Sequence, residues 1–340
     1  MKIAIFEIDE PHKRPFERLA SRHWVRSTEA RLSEQNVEDF HWAEIISVFI
    51  NSRIDDSVLE KLPSLKMITT RSTGFEHIDL VACEKRNISV CHVPGYGENS
   101  VAEHVFALLL TISHRMLAAT KRTKSGHFSP EDLIGFDLAG KTLGVIGAGA
   151  IGRRVIEIAY GFSMRVIVHD IAETPDSERG KPTSIMGFDE LLAEADIISL
   201  HLPLTAQSKG LFSSDVFARM KHGAILINTA RGGLVDNEAL IHALNTGQLF
   251  AAGLDVVEDE ALLIEEAELV CGVDCARRDL EISSRARTLL NMPNVVATPH
   301  SAFYTHEAMQ RIADTTIESI ESFVHGTPIN LVFNSKQNTA

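Results

Sequence analysis

The stretch KTLGVIGAGAIGRRVIEIA, from Lys141 to Ala159, constrains the fold more than any other part of this 340-residue chain. Gly147, Gly149 and Gly152 stand as G-x-G-x-x-G. The residues before them form a continuous apolar run suited to a buried strand, and those after them repeat at helical spacing. That context makes the glycines a phosphate-binding turn. The second glycine lets a pyrophosphate approach the backbone, and the helix start offers free N–H groups and the positive end of the helix dipole. The next apolar run, RVIVHD, ends in Asp170, 18 residues after Gly152. An acid there accepts hydrogen bonds from an adenosine ribose and repels a 2′-phosphate, which favours NAD over NADP.

The motif begins only after about 140 residues, so another unit precedes the nucleotide domain. Apolar runs alternate with amphipathic stretches on both sides of it. KIAIFEI, EIISVFI, KMITT and ISVCHV form one group. TLGVIG, RVIVHD, DIISLH, AILINT, AAGLDVV and NVVATP form a second. Near-continuous Val/Ile/Leu strands separated by helices imply parallel sheets covered on both faces. The expected fold class is therefore α/β, with two doubly wound parallel-sheet domains and a cleft between them. NSVAEHVFALLLTISHRMLAATKRT reads as one long helix leading from the first domain to the second. THEAMQRIADTTIESIESFVHG reads as a closing helix that returns to the first. The expected bounds are 1–100 with 301–340 for the substrate domain, and 101–300 for the nucleotide domain. Residues 261–290 turn from acidic to basic without a clear period and read as a solvated surface excursion, with an insertion or lid at the cleft as the alternative.

Composition excludes several classes. Lys and Arg number 33 against 46 Asp and Glu, a net charge of −13, which disfavours nucleic acid and anionic membrane surfaces as partners. No apolar run approaches the length of a membrane span, and the N-terminus lacks the pattern of a secretory signal, so a cytoplasmic protein is expected. The four cysteines, Cys83, Cys91, Cys271 and Cys275, suit a reducing compartment. The pair in CGVDC has no second pair or nearby histidine to complete a zinc set, so no metal is expected.

Three polar residues follow three of the later strands. Arg231 follows AILINT, Glu260 lies just past GLDVV, and His300 follows NVVATP. Ligands bind at the carboxyl ends of strands in open parallel sheets, so residues distant in sequence meet there. Taken singly, each has a plain structural reading: a capping arginine, a solvated acid, a structural histidine. Taken together beside a dinucleotide, they suit reduction of a 2-keto acid. An arginine forks a carboxylate, a histidine delivers a proton at neutral pH, and a glutamate beside it raises the imidazole pKa.

The glycine turn, HLPLT, NTARGGLVD, GLDVVEDE and TPHSAFYT occur in the order found in the D-isomer-specific 2-hydroxyacid dehydrogenases, which the chain resembles over nearly its whole length. The resemblance implies a Rossmann NAD-binding domain and a flavodoxin-like substrate domain. It also implies a catalytic triad of Arg231, Glu260 and His300, with His300 as acid/base, and Asp255 near the nicotinamide carboxamide. Ala150, Ile151, Leu202, Pro203, Ser208, Thr229 and Ala230 match positions lining the cofactor, beside Gly147, Gly149, Gly152 and Asp170.

Within the family the chain is most similar to the D-lactate dehydrogenase branch. RSTGFEHIDL matches its substrate-carboxylate loop through Thr73 and Gly74. Tyr96, Phe303 and, more loosely, Ile50 match pocket walls. The branch implies pyruvate and D-lactate as substrates and a homodimer built through the long helix after Asn99. The interval from Glu260 to His300 is longer than usual there. A formate dehydrogenase is disfavoured because that group lacks the glutamate that Glu260 matches, and a phosphoglycerate substrate is less expected because neither an added regulatory domain nor an extra basic cluster is evident. A dehydrogenase for a larger 2-keto acid is the nearest alternative. An NADH-sensing, corepressor-like binding protein is the alternative of another class.

Overall fold

The computed structural model describes residues 1–171, 184–258 and 285–333. Glu260, Cys271, Cys275 and most of the acidic-to-basic excursion lie outside them. Residues 285–290, at its end, are helical. The chain divides into two compact units: Met1–Tyr96 with Tyr304–Ala340, and Gly97–Phe303. The sequence-based bounds lay at 100/101 and 300/301.

The first unit is built on six strands: β1 (Lys2–Ile5), β2 (Trp24–Ser27), β3 (Ile45–Val48), β4 (Met67–Thr70), β5 (Ser89–Cys91) and the closing β13 (Leu331–Phe333), in the order β13-β5-β4-β3-β1-β2. All pairs are parallel except β13 against β5. The alternation of strand side chains divides the core into two layers. Ala4, Ile46, Ile68 and Val90 face a cluster with Val58, Leu59 and Ala82. Ile3, Ile5, Ile45 and Met67 face another with Ala313 and Ile320 of the helix His306–Val324. That helix starts where Thr305 accepts the Ala308 N–H on its hydroxyl, a side-chain N-cap.

The second unit holds a seven-stranded parallel sheet: β6 (Thr142–Ile146), β7 (Arg165–His169), β8 (Ser184–Ile185), β9 (Ile197–Leu200), β10 (Ala224–Asn228), β11 (Leu249–Leu254) and β12 (Val295–Ala297). Their order is β12-β11-β10-β9-β6-β7-β8, so the winding reverses between β6 and β9. The strands β6, β9 and β10 in the middle of the sheet are buried on both faces, because helices cover both. Leu226, Leu254 and Ile198 pack under Leu191, Phe217 and Leu240. Val145, Val166 and Ile227 pack under Val105, Leu109 and Val155.

Three short strands lie outside the expected runs: β2, β8 and β13. The single long helix expected after Asn99 is instead two, Glu98–Ser113 and Met116–Lys124, which meet at 63°. The break coincides with a hydrogen bond from outside the helix. The Ser113 carbonyl, which would accept from Leu117 in a continuous helix, accepts from the Phe136 N–H of the returning chain. Arg115 then adopts a left-handed conformation, with φ 49°.

Candidate active site

The reversal of winding in the second unit sets the turn after β6 beside the turn after β9, the crevice where such sheets take ligands. Gly147, at φ 93°, would place a Cβ 2.7 Å from the His201 carbonyl oxygen, and at Gly152 a Cβ would fall 2.1 Å from the Gly147 oxygen. Both glycines therefore answer to close backbone packing. Gly149 is different: its Cβ would meet nothing within 4 Å. It is the N-cap of the twelve-residue helix Ala150–Gly161, and the space over it is open above the helix start. Ala150 and Ile151 form the first turn of that helix. Asp170, just past β7, accepts the Ala148 N–H at 2.6 Å and so ties the acid to the glycine turn.

On the β9 side, His201 is half-buried and its Nε2 lies 2.9 Å from Ser199 Oγ. Burial pushes its pKa down to about 3, so the imidazole stays neutral. Leu202 packs against the core cluster below. Ser208 donates to the Pro203 carbonyl at 2.7 Å and accepts the Thr205 N–H at 2.8 Å, which shapes the loop between them. Thr229 and Ala230 follow β10. The Thr229 hydroxyl is buried and has no hydrogen-bond partner among the described residues. An open cradle over Gly149 and an orphaned buried hydroxyl both fit a bound dinucleotide.

Arg231, Asp255 and His300 stand past the carboxyl ends of the adjacent strands β10, β11 and β12. Asn228 sets the first of these turns: its side chain accepts the Ala230 N–H and donates to the Arg231 carbonyl at 2.9 Å. Arg231 Nη1 donates to the Ala230 carbonyl at 2.8 Å. Asp255 is 1% exposed, and its carboxylate accepts the N–H groups of Ser301 and Ala302 and the Thr298 hydroxyl. Its backbone carbonyl accepts the His300 N–H at 2.9 Å. His300 sits at φ 50°, unusual for a residue with a side chain. Phe303 approaches it edge-on, ring centroids 6.3 Å apart. Glu260, the third member of the expected triad, lies outside the described residues. Among the described residues, no group of three or more His, Cys, Asp or Glu is arranged to hold a metal.

In the first unit, Thr73 and Gly74 lie on the loop after β4. The Thr73 hydroxyl donates to the Val93 carbonyl at 3.0 Å, and the Gly74 carbonyl accepts from the Ser72 hydroxyl at 2.6 Å. The Tyr96 carbonyl accepts from Arg311 Nε at 2.8 Å. Ile50 is 37% exposed.

Two residues that sequence reading passed over hold this region. Arg71, buried, donates to Ser47 Oγ and to the Phe6 and Glu7 carbonyls, which joins the ends of β1, β3 and β4. The Glu7 carboxylate accepts the Phe49 and Asn51 N–H groups at 2.6 and 2.8 Å. Burial lowers the Arg71 pKa to about 10 and raises that of Glu7. An arginine directly before the Ser-Thr-Gly loop was the only trace in the sequence; Glu7 left none.

Comparison with known proteins adds to this geometry. The family description "D-isomer specific 2-hydroxyacid dehydrogenase, NAD binding domain" matches residues 106–302. A protein of Haemophilus influenzae described as a 2-hydroxyacid dehydrogenase homolog is 35% identical over 332 residues, covering 96% of this chain and 97% of its own. A glyoxylate reductase of Thermococcus litoralis is 33% identical, covering 87% and 85%. The crystal structure of D-lactate dehydrogenase from Aquifex aeolicus, complexed with NAD and lactic acid, superposes with a TM-score of 0.83 at 35% identity, covering 96% of each chain.

Proposed function

The chain belongs to the D-isomer-specific 2-hydroxyacid dehydrogenase family and takes NAD as its cofactor, and from that premise we propose that it reduces pyruvate to D-lactate. The observation that carries the reading is the set of Arg231, Asp255 and His300 past three adjacent strands of the sheet whose glycine turn has an open cradle. The lactic acid bound to the Aquifex aeolicus relative supports the choice of acid. The glyoxylate reductase among the relatives is the reason to test it against other 2-keto acids.

In this reading the helix start at Ala150 and the turn over Gly149 hold the pyrophosphate, and Asp170 holds the adenosine ribose. Leu202, Pro203, Ser208, Thr229 and Ala230 line the rest of the cofactor. NADH, when bound, supplies the hydride to C2 of the acid. Arg231 forks the substrate carboxylate. Thr73, Gly74, Tyr96, Phe303 and Ile50 complete the set of proposed substrate contacts. His300 donates its proton to the C2 oxygen, and Glu260 stabilises the imidazolium form. We further propose a cytoplasmic homodimer, acting on small 2-keto acids.

The test is purified protein with NADH and a panel of pyruvate, glyoxylate, hydroxypyruvate and bulkier 2-keto acids. Pyruvate should give the highest kcat/KM, and chiral analysis should find D-lactate. One methylene in an apolar pocket changes discrimination by only about 1–3 kcal/mol, so neighbouring acids should turn over more slowly rather than not at all. A bulkier acid preferred over pyruvate would replace the substrate assignment. No NADH oxidation with any of them would remove the enzymatic one.

A further inference from the structure

The turn that carries His300 is held from behind by hydrogen bonds that begin on another element. Thr298, the residue after β12 and two before His300, donates its hydroxyl to Asp255 Oδ1 at 2.6 Å. His104, in the helix Glu98–Ser113, has Nε2 2.9 Å from the same hydroxyl oxygen. A hydroxyl has one hydrogen. With that hydrogen directed to the carboxylate, the oxygen accepts from His104, which requires a proton on Nε2 of this histidine.

Asp255 then accepts the Ser301 N–H on Oδ1 at 2.8 Å and the Ala302 N–H on Oδ2 at 2.9 Å. The His300 N–H lies between these contacts, 2.9 Å from the Asp255 carbonyl and 3.0 Å from that of Thr298. The bonds thus bracket His300 on both sides while it holds φ 50°. A side-chain-bearing residue keeps such a conformation only where its surroundings impose it. Asp255 is 1% exposed and the His104 side chain 19%, so the contacts are shielded from competing water.

We propose that His104 and Thr298 are positioning residues for the reaction, acting through Asp255 to fix the backbone of residues 298–302 and so the direction in which the His300 imidazole is presented. This rests on the reading of His300 as proton donor. Neither residue need touch substrate or cofactor. Misplacing a reacting group by about 1 Å can cost on the order of 100-fold in rate, so a small tilt of this turn suffices.

Four variants test it. Thr298→Val removes the hydroxyl at constant shape, and Thr298→Ser keeps it. His104→Leu removes the donor, and His104→Gln keeps an N–H at the end of a side chain of similar reach. Thr298→Val and His104→Leu should lower kcat for the preferred 2-keto acid roughly 10- to 100-fold while NADH affinity stays unchanged. The Ser and Gln variants should recover most of that loss. The double variant should be little worse than the poorer single one, because both break the same chain of bonds.

Amide exchange at Ser301 and Ala302, followed without substrate, should quicken in the Val and Leu variants and return in the Ser and Gln ones. Unchanged exchange would overturn the proposal. So would a loss of kcat that Ser and Gln fail to rescue, or a loss that falls equally on NADH binding. If the wild type turned over no 2-keto acid, the proposed function would fall, and the exchange pattern would still decide whether these residues hold the turn.

Discussion

At the scale of single residues, Arg231 and His201 illustrate opposite uses of a charged or chargeable side chain. Arg231 is a fork in a turn shaped by Asn228, and its proposed partner is the substrate carboxylate. Arg231→Gln keeps length and some hydrogen bonding but loses the charge and the fork. A charge-assisted hydrogen bond contributes about 1.5–3 kcal/mol, so kcat/KM for the keto acid should fall roughly 10- to 100-fold. NADH affinity, read by fluorescence titration, should barely change; an equal loss in both would assign Arg231 to the cofactor alone.

His201 works by staying neutral. Its pKa is about 3 in the fold against 6.5 ordinarily, because burial disfavours the charged ring. The unfolded chain therefore takes up a proton near pH 6.5 that the folded chain refuses until about pH 3. Stability from this group is present above pH 6.5 and drains as pH falls toward 3. The slope is at most about 1.4 kcal/mol per pH unit. Urea midpoints between pH 7.5 and 5 should fall with acid, and His201→Gln should flatten that fall. Parallel slopes for the two proteins would show that the ring titrates freely. The sequence marked Arg231 and His300 by their place after apolar runs. It gave no comparable sign for Asp255 as the clamp on the His300 turn, since a buried carboxylate facing backbone N–H groups looks like any other acid until the turn is folded around it.

At the scale of elements, the glycine turn separates packing from binding. At Gly152 a Cβ would fall on the Gly147 carbonyl at 2.1 Å, so Gly152→Ala forces the helix Ala150–Gly161 away from β6. Overpacking of this kind costs typically about 1–3 kcal/mol, visible as a lower Tm. At Gly149 a Cβ meets nothing within 4 Å. Gly149→Ala should melt near the wild type and lose NADH affinity by roughly tenfold or more, since the methyl occupies the space a pyrophosphate needs. A Gly149→Ala protein with unchanged NADH affinity would move the cofactor elsewhere.

The same contrast explains what was legible among the elements. The central strands were readable because helices on both faces demand near-continuous apolar runs, as in AILI of Ala224–Asn228. The edge strand Trp24–Ser27 was not, since it is largely exposed and carries Arg26. Leu331–Phe333 is three residues long and pairs antiparallel, so it has no period to find. The break at Arg115 was hidden for another reason: the helical period runs straight through it, and the hydrogen bond it coincides with comes from Phe136, over twenty residues away.

At the scale of the whole molecule, the sequence could locate two sheets because most of their strands follow one another through short parallel crossovers, β13 being the strand that joins the first sheet from the far end of the chain. It could not locate what a surface meets. The helix Met116–Lys124 has no buried residue, and Met116 and Leu117 are 49% and 61% exposed. Beyond it, Phe128 and Ile134 are 82% and 86% exposed. A nine-residue helix is marginal by itself in water, and Met116, Leu117, Phe128 and Ile134 leave large apolar side chains exposed along this stretch. In the homodimer proposed above, this stretch is the apolar surface a second copy would cover.

Sedimentation equilibrium should then give twice the chain mass. The double change Phe128→Glu with Ile134→Glu should return it to the mass of one chain, because two charges per copy would have to be buried in the interface. Both substitutions lie where the side chain is already solvated, so the monomer should keep its melting transition apart from what dimerisation added. A wild-type chain that sediments as a monomer at concentrations of tens of micromolar would remove the homodimer. A double variant that stays dimeric would keep the dimer and move its interface off this arm.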